Sequence, residues 1–277
     1  MIPIRDTLPR RRLPVVTVAL ILVNLLVFLY QGYLQTRPAE LNNGIAWQNE
    51  GLSPPPAFDP IAYRTHTLSG GDPALYPLSA SDRFVSQFAM ISAEFLRGDD
   101  LPPTIPIPLW MTLLTSMFVH GGLMHLLGNM LYLWIFGDNV EDAMGSARFL
   151  AFYLLCGAAA AFSQIAVDPG STIPLIGASG AIAGVLAAYF MLFPYARVVT
   201  LIPIFFFLRL MSIPAVILLG FWFLLQVISG AGSLGSAGGV AWFAHIGGFV
   251  AGALLVIPFR RRGVPIALLR MIRAGIR

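Results

Sequence analysis

Lysine is absent from the 277-residue sequence, and all 17 basic side chains are arginine. Acidic residues number only 13, and charged residues make up 11% of the chain, where a soluble domain carries about a quarter. Hydrophobic residues reach 57%. This balance excludes an ordinary soluble protein and directs the reading to a lipid environment. Cys156 is the single cysteine and lies in an apolar run, which excludes a disulfide framework and a thiolate metal site. No HExxH occurs, and no Asp or Glu falls inside a proposed span. A zinc site with a carboxylate to activate water is thereby set aside, as is a pair of buried aspartates. No internal repeat of the kind found in many transporters is visible. No small-residue cleavage site follows the first apolar segment, which therefore reads as a retained helix rather than a signal peptide. Nothing in the sequence calls for a cofactor.

Six apolar segments remain: Val15–Tyr33, Trp110–Phe136, Phe149–Val167, Leu175–Phe193, Ile213–Ile228 and Val240–Phe259. Most are near the length of about 18 residues that marks a spanning helix. The fifth could start earlier, in the run Val198–Leu208. The spacing predicts an all-α, polytopic membrane protein with a bundle of six transmembrane helices. Its basic N-terminus is 1–14, its first span 15–33, its core 108–259 and its basic tail 260–277. Arg5, Arg10, Arg11 and Arg12 precede the first span, and Arg260, Arg261 and Arg262 follow the last, with Arg270, Arg273 and Arg277 beyond. Such clusters sit on the cytoplasmic side, and an even number of spans puts both termini there. No soluble basic domain accompanies the arginines, so nucleic acid is not an expected partner. The loop 34–107 then faces outward. Within it, Phe84, Phe88, Ile91 and Phe95 recur at helical spacing and predict an amphipathic helix over 81–97, on the membrane surface or packed on the bundle. The tail from Val264 predicts another surface helix.

A polar group in lipid is costly and asks for a reason. His120, His125 and His245 lie in or at the edge of spans, while His66 is in the outer loop. An imidazole can be neutral near pH 7, so a membrane site built on His and Ser needs no permanent charge. Serine attacks, histidine takes its proton, and neutral donors hold the oxyanion. Ser179 and His245 each lie about five residues into their segments, and His125 a similar distance past His120, near Gly121–Gly122. At 1.5 Å per residue all three are roughly 8 Å below the same face. Small residues four apart near Ser179 (Gly180, Gly184) and His245 (Ala244, Gly248, Gly252) predict close contact between the fourth and sixth helices. His125 and Asn129 are four apart and share a helix face.

At these residues the chain resembles the rhomboid family of intramembrane serine proteases. Three motifs carry the likeness: His120-Gly-Gly-Leu-Met-His125-Leu-Leu-Gly-Asn129, Gly177-Ala-Ser179-Gly180, and Ala244-His245-Ile-Gly-Gly248. The resemblance covers about Trp110 to Phe259. It implies Ser179 as nucleophile, His245 as base, and His125 with Asn129 at the oxyanion hole. His120, Gly177, Gly180 and Gly248 are structural neighbours of the site. It also implies a Ser-His dyad cutting transmembrane segments of membrane proteins within the bilayer. Two positions depart from the family pattern. Trp110-Met111 stands where many members have Trp-Arg, and Ala183 stands where some carry a Tyr stacked on the base. The rival expectation is a catalytically silent scaffold that binds transmembrane helices; such relatives typically lack the Ser or the His, and both are present. The six-helix form with an inward arginine tail points to a prokaryotic cell membrane. What orients His245, and the oligomeric state, are not legible at this level.

Overall fold

A computed structural model describes residues 1–9, 12–37, 79–98, 105–204, 207–233 and 240–269. Most of the 34–107 loop, His66, and the arginines at 10, 11, 270, 273 and 277 lie outside the described residues. The first long helix, α1 (Val15–Gln35), begins after Pro14, which supplies no capping side chain. Its free first-turn donors are met by Glu141, whose carboxylate accepts from Val16 N at 3.0 Å, Thr17 N at 2.8 Å and Thr17 Oγ1 at 2.9 Å. A carboxylate there also complements the positive end of the helix.

The expected helix over 81–97 is in fact two, α2 (Ala80–Phe88) and α3 (Ser92–Arg97). They part because Met90 is extended and exchanges backbone hydrogen bonds with Leu175, at 3.1 and 2.8 Å. Ser79 Oγ caps α2 by accepting from Asp82 N at 3.0 Å. Both pieces dock on the bundle: Phe84 meets Tyr30 of α1 with centroids 5.5 Å apart, and Phe95 meets Phe162 at 5.9 Å.

The second apolar run is broken. Short helical turns span 109–118, the chain turns through 83°, and a helix resumes after Gly122. The first of these pieces includes α4 (Thr112–Thr115), and the second is α5 (Leu123–Met144). The Gly121–Gly122 pair does mark the helix start, as the sequence suggests. α5 runs past the apolar stretch to Met144 and so carries Asp138, Glu141 and Asp142 in its last turns. Helices α6 (Ser146–Val167), α7 (Ser179–Leu192), α8 (Ala215–Gly232) and α9 (Trp242–Phe259) follow.

Two expectations are corrected here. The chain is mostly helical but not all-α: β1 (Ile2–Asp6), β2 (Arg197–Ile204) and β3 (Phe207–Pro214) form an antiparallel sheet in that order. Ile2 pairs with Leu201 and Val198 with Ile213. The run from Val198 is therefore strand and not the start of the fifth span. Its β-branched Val198, Val199 and Thr200 favour an extended chain, and α8 begins only after Pro214, a residue suited to a helix start. Among the described residues four helices are long and apolar enough to cross a membrane, five if the bent pair counts as one, and α7 has only 14 residues.

α7 is the core of the bundle, with all but a few of its residues buried. Small residues let its neighbours reach its backbone, as the glycine spacing anticipates. A Cβ on Gly248 would strike the Gly180 carbonyl oxygen, and one on Gly180 would stand 2.5 Å from the Ala160 methyl. A Cβ on Gly184 would stand 2.5 Å from Cys156 Sγ. Helices α6, α7 and α9 are thus in near-backbone contact, which fixes α7 and α9 relative to one another.

Candidate active site

The approach to α7 is built by loop residues rather than helix. Leu175 is tied to Met90, and Gly177 N donates to Ser116 O at 2.8 Å. Gly177 takes φ 110°, a left-handed value suited to glycine. A side chain at Gly177 would also collide with His125, whose Nε2 lies 2.7 Å from the Cβ position. The helix then starts at Ser179. The expectation that Ser179 lies about five residues inside its helix is corrected, because Leu175–Ala178 is not helical. His125 is the third residue of α5 and His245 the fourth of α9. The three sites converge at helix beginnings rather than at one depth within them. As a first-turn residue, Ser179 has a backbone N–H with no intrahelical acceptor, at the positive end of the helix.

The structure brings Ser179 and His245 together: Ser179 Oγ is 2.8 Å from His245 Nε2. The other ring nitrogen, Nδ1, is 2.8 Å from Gln226 Oε1 on α8. The amide N–H of Gln226 donates to Trp222 O at 3.2 Å, which leaves Oε1 to face the imidazole. An amide oxygen only accepts. Nδ1 therefore carries the ring proton, and Nε2 accepts from the serine hydroxyl. Trp222 and Trp242 flank the ring with centroids 6.0 and 6.3 Å away. Ala183 is fully buried and offers no ring.

His125 lines the same cavity as Ser179 and His245, a space of about 560 Å³ bounded also by Gly177, Val240 and Ala244. Asn129 is buried one turn further along α5, with Nδ2 3.7 Å from the Cβ position of Gly177. That amide nitrogen has no hydrogen-bond partner, an unusual state for a buried donor. His120 is buried, its ring 5.1 Å from that of His125. Its backbone is clamped by Gln31 of α1, which accepts from His120 N at 3.2 Å and donates to His120 O at 3.1 Å. Among the described residues no three His, Cys, Asp or Glu side chains are grouped to hold a metal ion. The assembly offers a hydroxyl with an adjacent base, and His125 and Asn129 both stand beside Gly177, two residues before that hydroxyl.

Gln226 escaped the sequence reading. Its signal was available: an amide inside the apolar run Ile213–Ile228, where a polar group is costly.

A family model described as the Rhomboid domain matches residues 108–262. The chain is 35% identical over 153 residues to the Rhomboid protease GluP of Bacillus subtilis (strain 168), covering 54% of this chain and 27% of that protein. It is 27% identical over 187 residues to the mitochondrial Rhomboid protein 1 of Saccharomyces cerevisiae, covering 65% of this chain and 47% of that one. It is 35% identical over 108 residues to the mitochondrial Presenilin-associated rhomboid-like protein of Bos taurus, covering 38% of this chain and 29% of that protein. The chain thus spans less than half the length of each of these relatives. Two of the three are mitochondrial, so the likeness lends no support to a prokaryotic cell membrane over a mitochondrial one.

Proposed function

The chain belongs to the rhomboid family and is an integral membrane protein, and on that premise we propose that it is an intramembrane serine endopeptidase acting on transmembrane segments of membrane proteins. The observation that carries this reading is the 2.8 Å contact between Ser179 Oγ and His245 Nε2, the distance of a nucleophile hydrogen-bonded to its base. The bilayer core contains six passes, with the bent pair around Gly121–Gly122 as the second and α7 as a short fourth. At 1.5 Å per residue α7 is roughly 21 Å long, against about 30 Å of hydrocarbon. Its N-terminus, with Ser179, then lies below one membrane face, and the cavity above it admits water. The arginines that flank the spans, Arg12 before α1 and Arg260, Arg261 and Arg262 after α9, then share the opposite face.

A substrate helix must unwind locally, since a hydrogen-bonded helix hides its carbonyls. Ser179 Oγ then attacks the scissile carbonyl carbon while its proton passes to His245 Nε2. The oxyanion is held by the Asn129 amide, a ring N–H of His125 and the Ser179 backbone N–H. On collapse the C–N bond breaks, and the imidazolium returns its proton to the leaving amine. Water, deprotonated by the same Nε2, hydrolyses the acyl-enzyme. No metal or cofactor enters these steps.

A silent scaffold is the other reading open to the family, and the intact hydroxyl–imidazole contact favours the protease. The test is cleavage of a transmembrane substrate by detergent-purified protein. Wild type should cut, and Ser179→Ala and His245→Ala should not. A fluorophosphonate should label Ser179 in wild type and lose that labelling in His245→Ala. Undiminished cleavage by Ser179→Ala overturns the assignment, and a folded wild type that neither cuts nor labels restores the scaffold.

A further inference from the structure

Resting on the Ser179–His245 reading, we infer that Gln226 is the positioning residue of the base, so that the working unit is a Ser179–His245–Gln226 chain rather than a bare dyad. A neutral imidazole has two tautomers and can turn about its side-chain bond. Only the form with its proton on Nδ1 and its lone pair on Nε2 aimed at Ser179 takes the serine proton. Gln226 Oε1, 2.8 Å from Nδ1, selects that form. Its own orientation is set by the bond from its N–H to Trp222 O at 3.2 Å, so the oxygen cannot be exchanged for the nitrogen without loss. Gln226 is 6% exposed, so water does not readily replace it.

An amide also suits the medium. A carboxylate in this place would strengthen the bond to Nδ1, but holding a charge within the bilayer is expensive. Among the described residues no carboxylate lines the cavity. Trp222, one turn before Gln226 on α8, adds a ring beside the imidazole. One face of α8 therefore supplies the orientation that the Ala183 methyl cannot. Gln226 meets the ring at Nδ1, the nitrogen turned away from Ser179, and acts through His245.

The test compares Gln226→Met, of similar volume with no acceptor, and Gln226→Glu, which retains one, in the full-length protein in lipid nanodiscs. Gln226→Met should lower kcat about 10- to 100-fold, a modest share of what a general base contributes, with KM within about twofold, since the residue does not touch substrate. Gln226→Glu should recover most of that loss. The His245 Nδ1–H signal in nitrogen-15 histidine-labelled protein, assigned by its absence in His245→Ala, should vanish or broaden in the Met variant and persist in the Glu variant. Undiminished kcat in a folded Gln226→Met, or loss of activity in both variants alike, overturns the inference. Should the Met variant fail to fold, wild type and Gln226→Glu decide: absence of the Nδ1–H signal from both is the refuting result. Cleavage that survives Ser179→Ala would instead overturn the underlying assignment, and is read separately.

Discussion

Adding a single methyl at Gly252 should damage both stability and catalysis. A Cβ there would stand 2.5 Å from Gly184 Cα and 2.7 Å from Gly184 C, where carbon pairs prefer about 3.5–4.0 Å. The obstacle is backbone, so no rotamer change relieves it. α7 cannot retreat, because the other side of Gly184 faces Cys156, whose Sγ is 2.5 Å from the Gly184 Cβ position. α9 must therefore move outward by about 1 Å, the difference between those contact distances. Overpacking of this kind costs about 1–3 kcal/mol, and a backbone obstacle puts Gly252→Ala at the upper end. With roughly 2–4 °C of melting temperature per kcal/mol for a chain of this size, the loss is about 5–10 °C. The same movement stretches the 2.8 Å Ser179–His245 contact, and about 1 Å of misplacement can cost roughly a hundredfold in rate. The assay is a thermal melt in detergent beside substrate cleavage at a temperature where both proteins are folded. Gly128→Ala and Gly32→Ala are the controls, since nothing lies within 4 Å of a Cβ at either. They should be neutral or slightly stabilising. A Gly252→Ala protein that melts with wild type and cuts at the wild-type rate would refute the packing argument.

Two further substitutions separate function from stability. Asn129→Ala should lower kcat about 10²- to 10³-fold, as expected for one oxyanion donor. Its melting temperature should hold or rise, because the unpartnered Nδ2 gives up no bond; a fall in melting temperature with full activity contradicts this. Glu141→Ala should do the reverse. It removes the acceptor for Val16 N, Thr17 N, Thr17 Oγ1 and Ser146 Oγ, a loss of about 3–4 kcal/mol from a cap and three further bonds. A melt and limited proteolysis near Val15 should report a loosened α1, with cleavage activity retained at low temperature. Unchanged protease resistance there would show that α1 is held by its apolar contacts alone.

How much of this could be read from the sequence depends on what each residue signals locally. Apolar length located α1, α6, α8 and α9 to within a few residues, since a spanning helix is a one-dimensional pattern. The glycines around Ser179 and His245 announced the α7–α9 contact, because close approach requires small residues at fixed spacing. Gly121–Gly122 gave the start of α5. The pairing of β1 with β2 was not legible, as it joins Ile2 to Leu201 and neither strand carries its own signal of a partner. The break at Met90 was hidden for the same reason, its cause being Leu175, far along the chain. The start of α7 was misjudged because Leu175–Ala178 is apolar enough to pass for helix, while its backbone is set by pairing and by Gly177.

The polar residues teach a more general point. Charge is not the only polar resource available inside lipid. Amides cost less to bury than ions, and within the apolar runs they tie one helix to another part of the bundle. Gln31 ties α1 to the His120 backbone, and Gln226 ties α8 to the His245 ring. Asn129 keeps an unspent N–H beside the loop that carries Ser179. Among the described residues two carboxylates reach comparably far: Asp6, which accepts from Tyr189 and Asn139, and Glu141, in the last turn of α5 past the apolar run. Carboxylates outside the apolar runs and amides inside them follow from one rule, that a buried polar group must offset its desolvation. By that rule the amide within an apolar run is the residue to examine first when a membrane histidine lacks an evident partner.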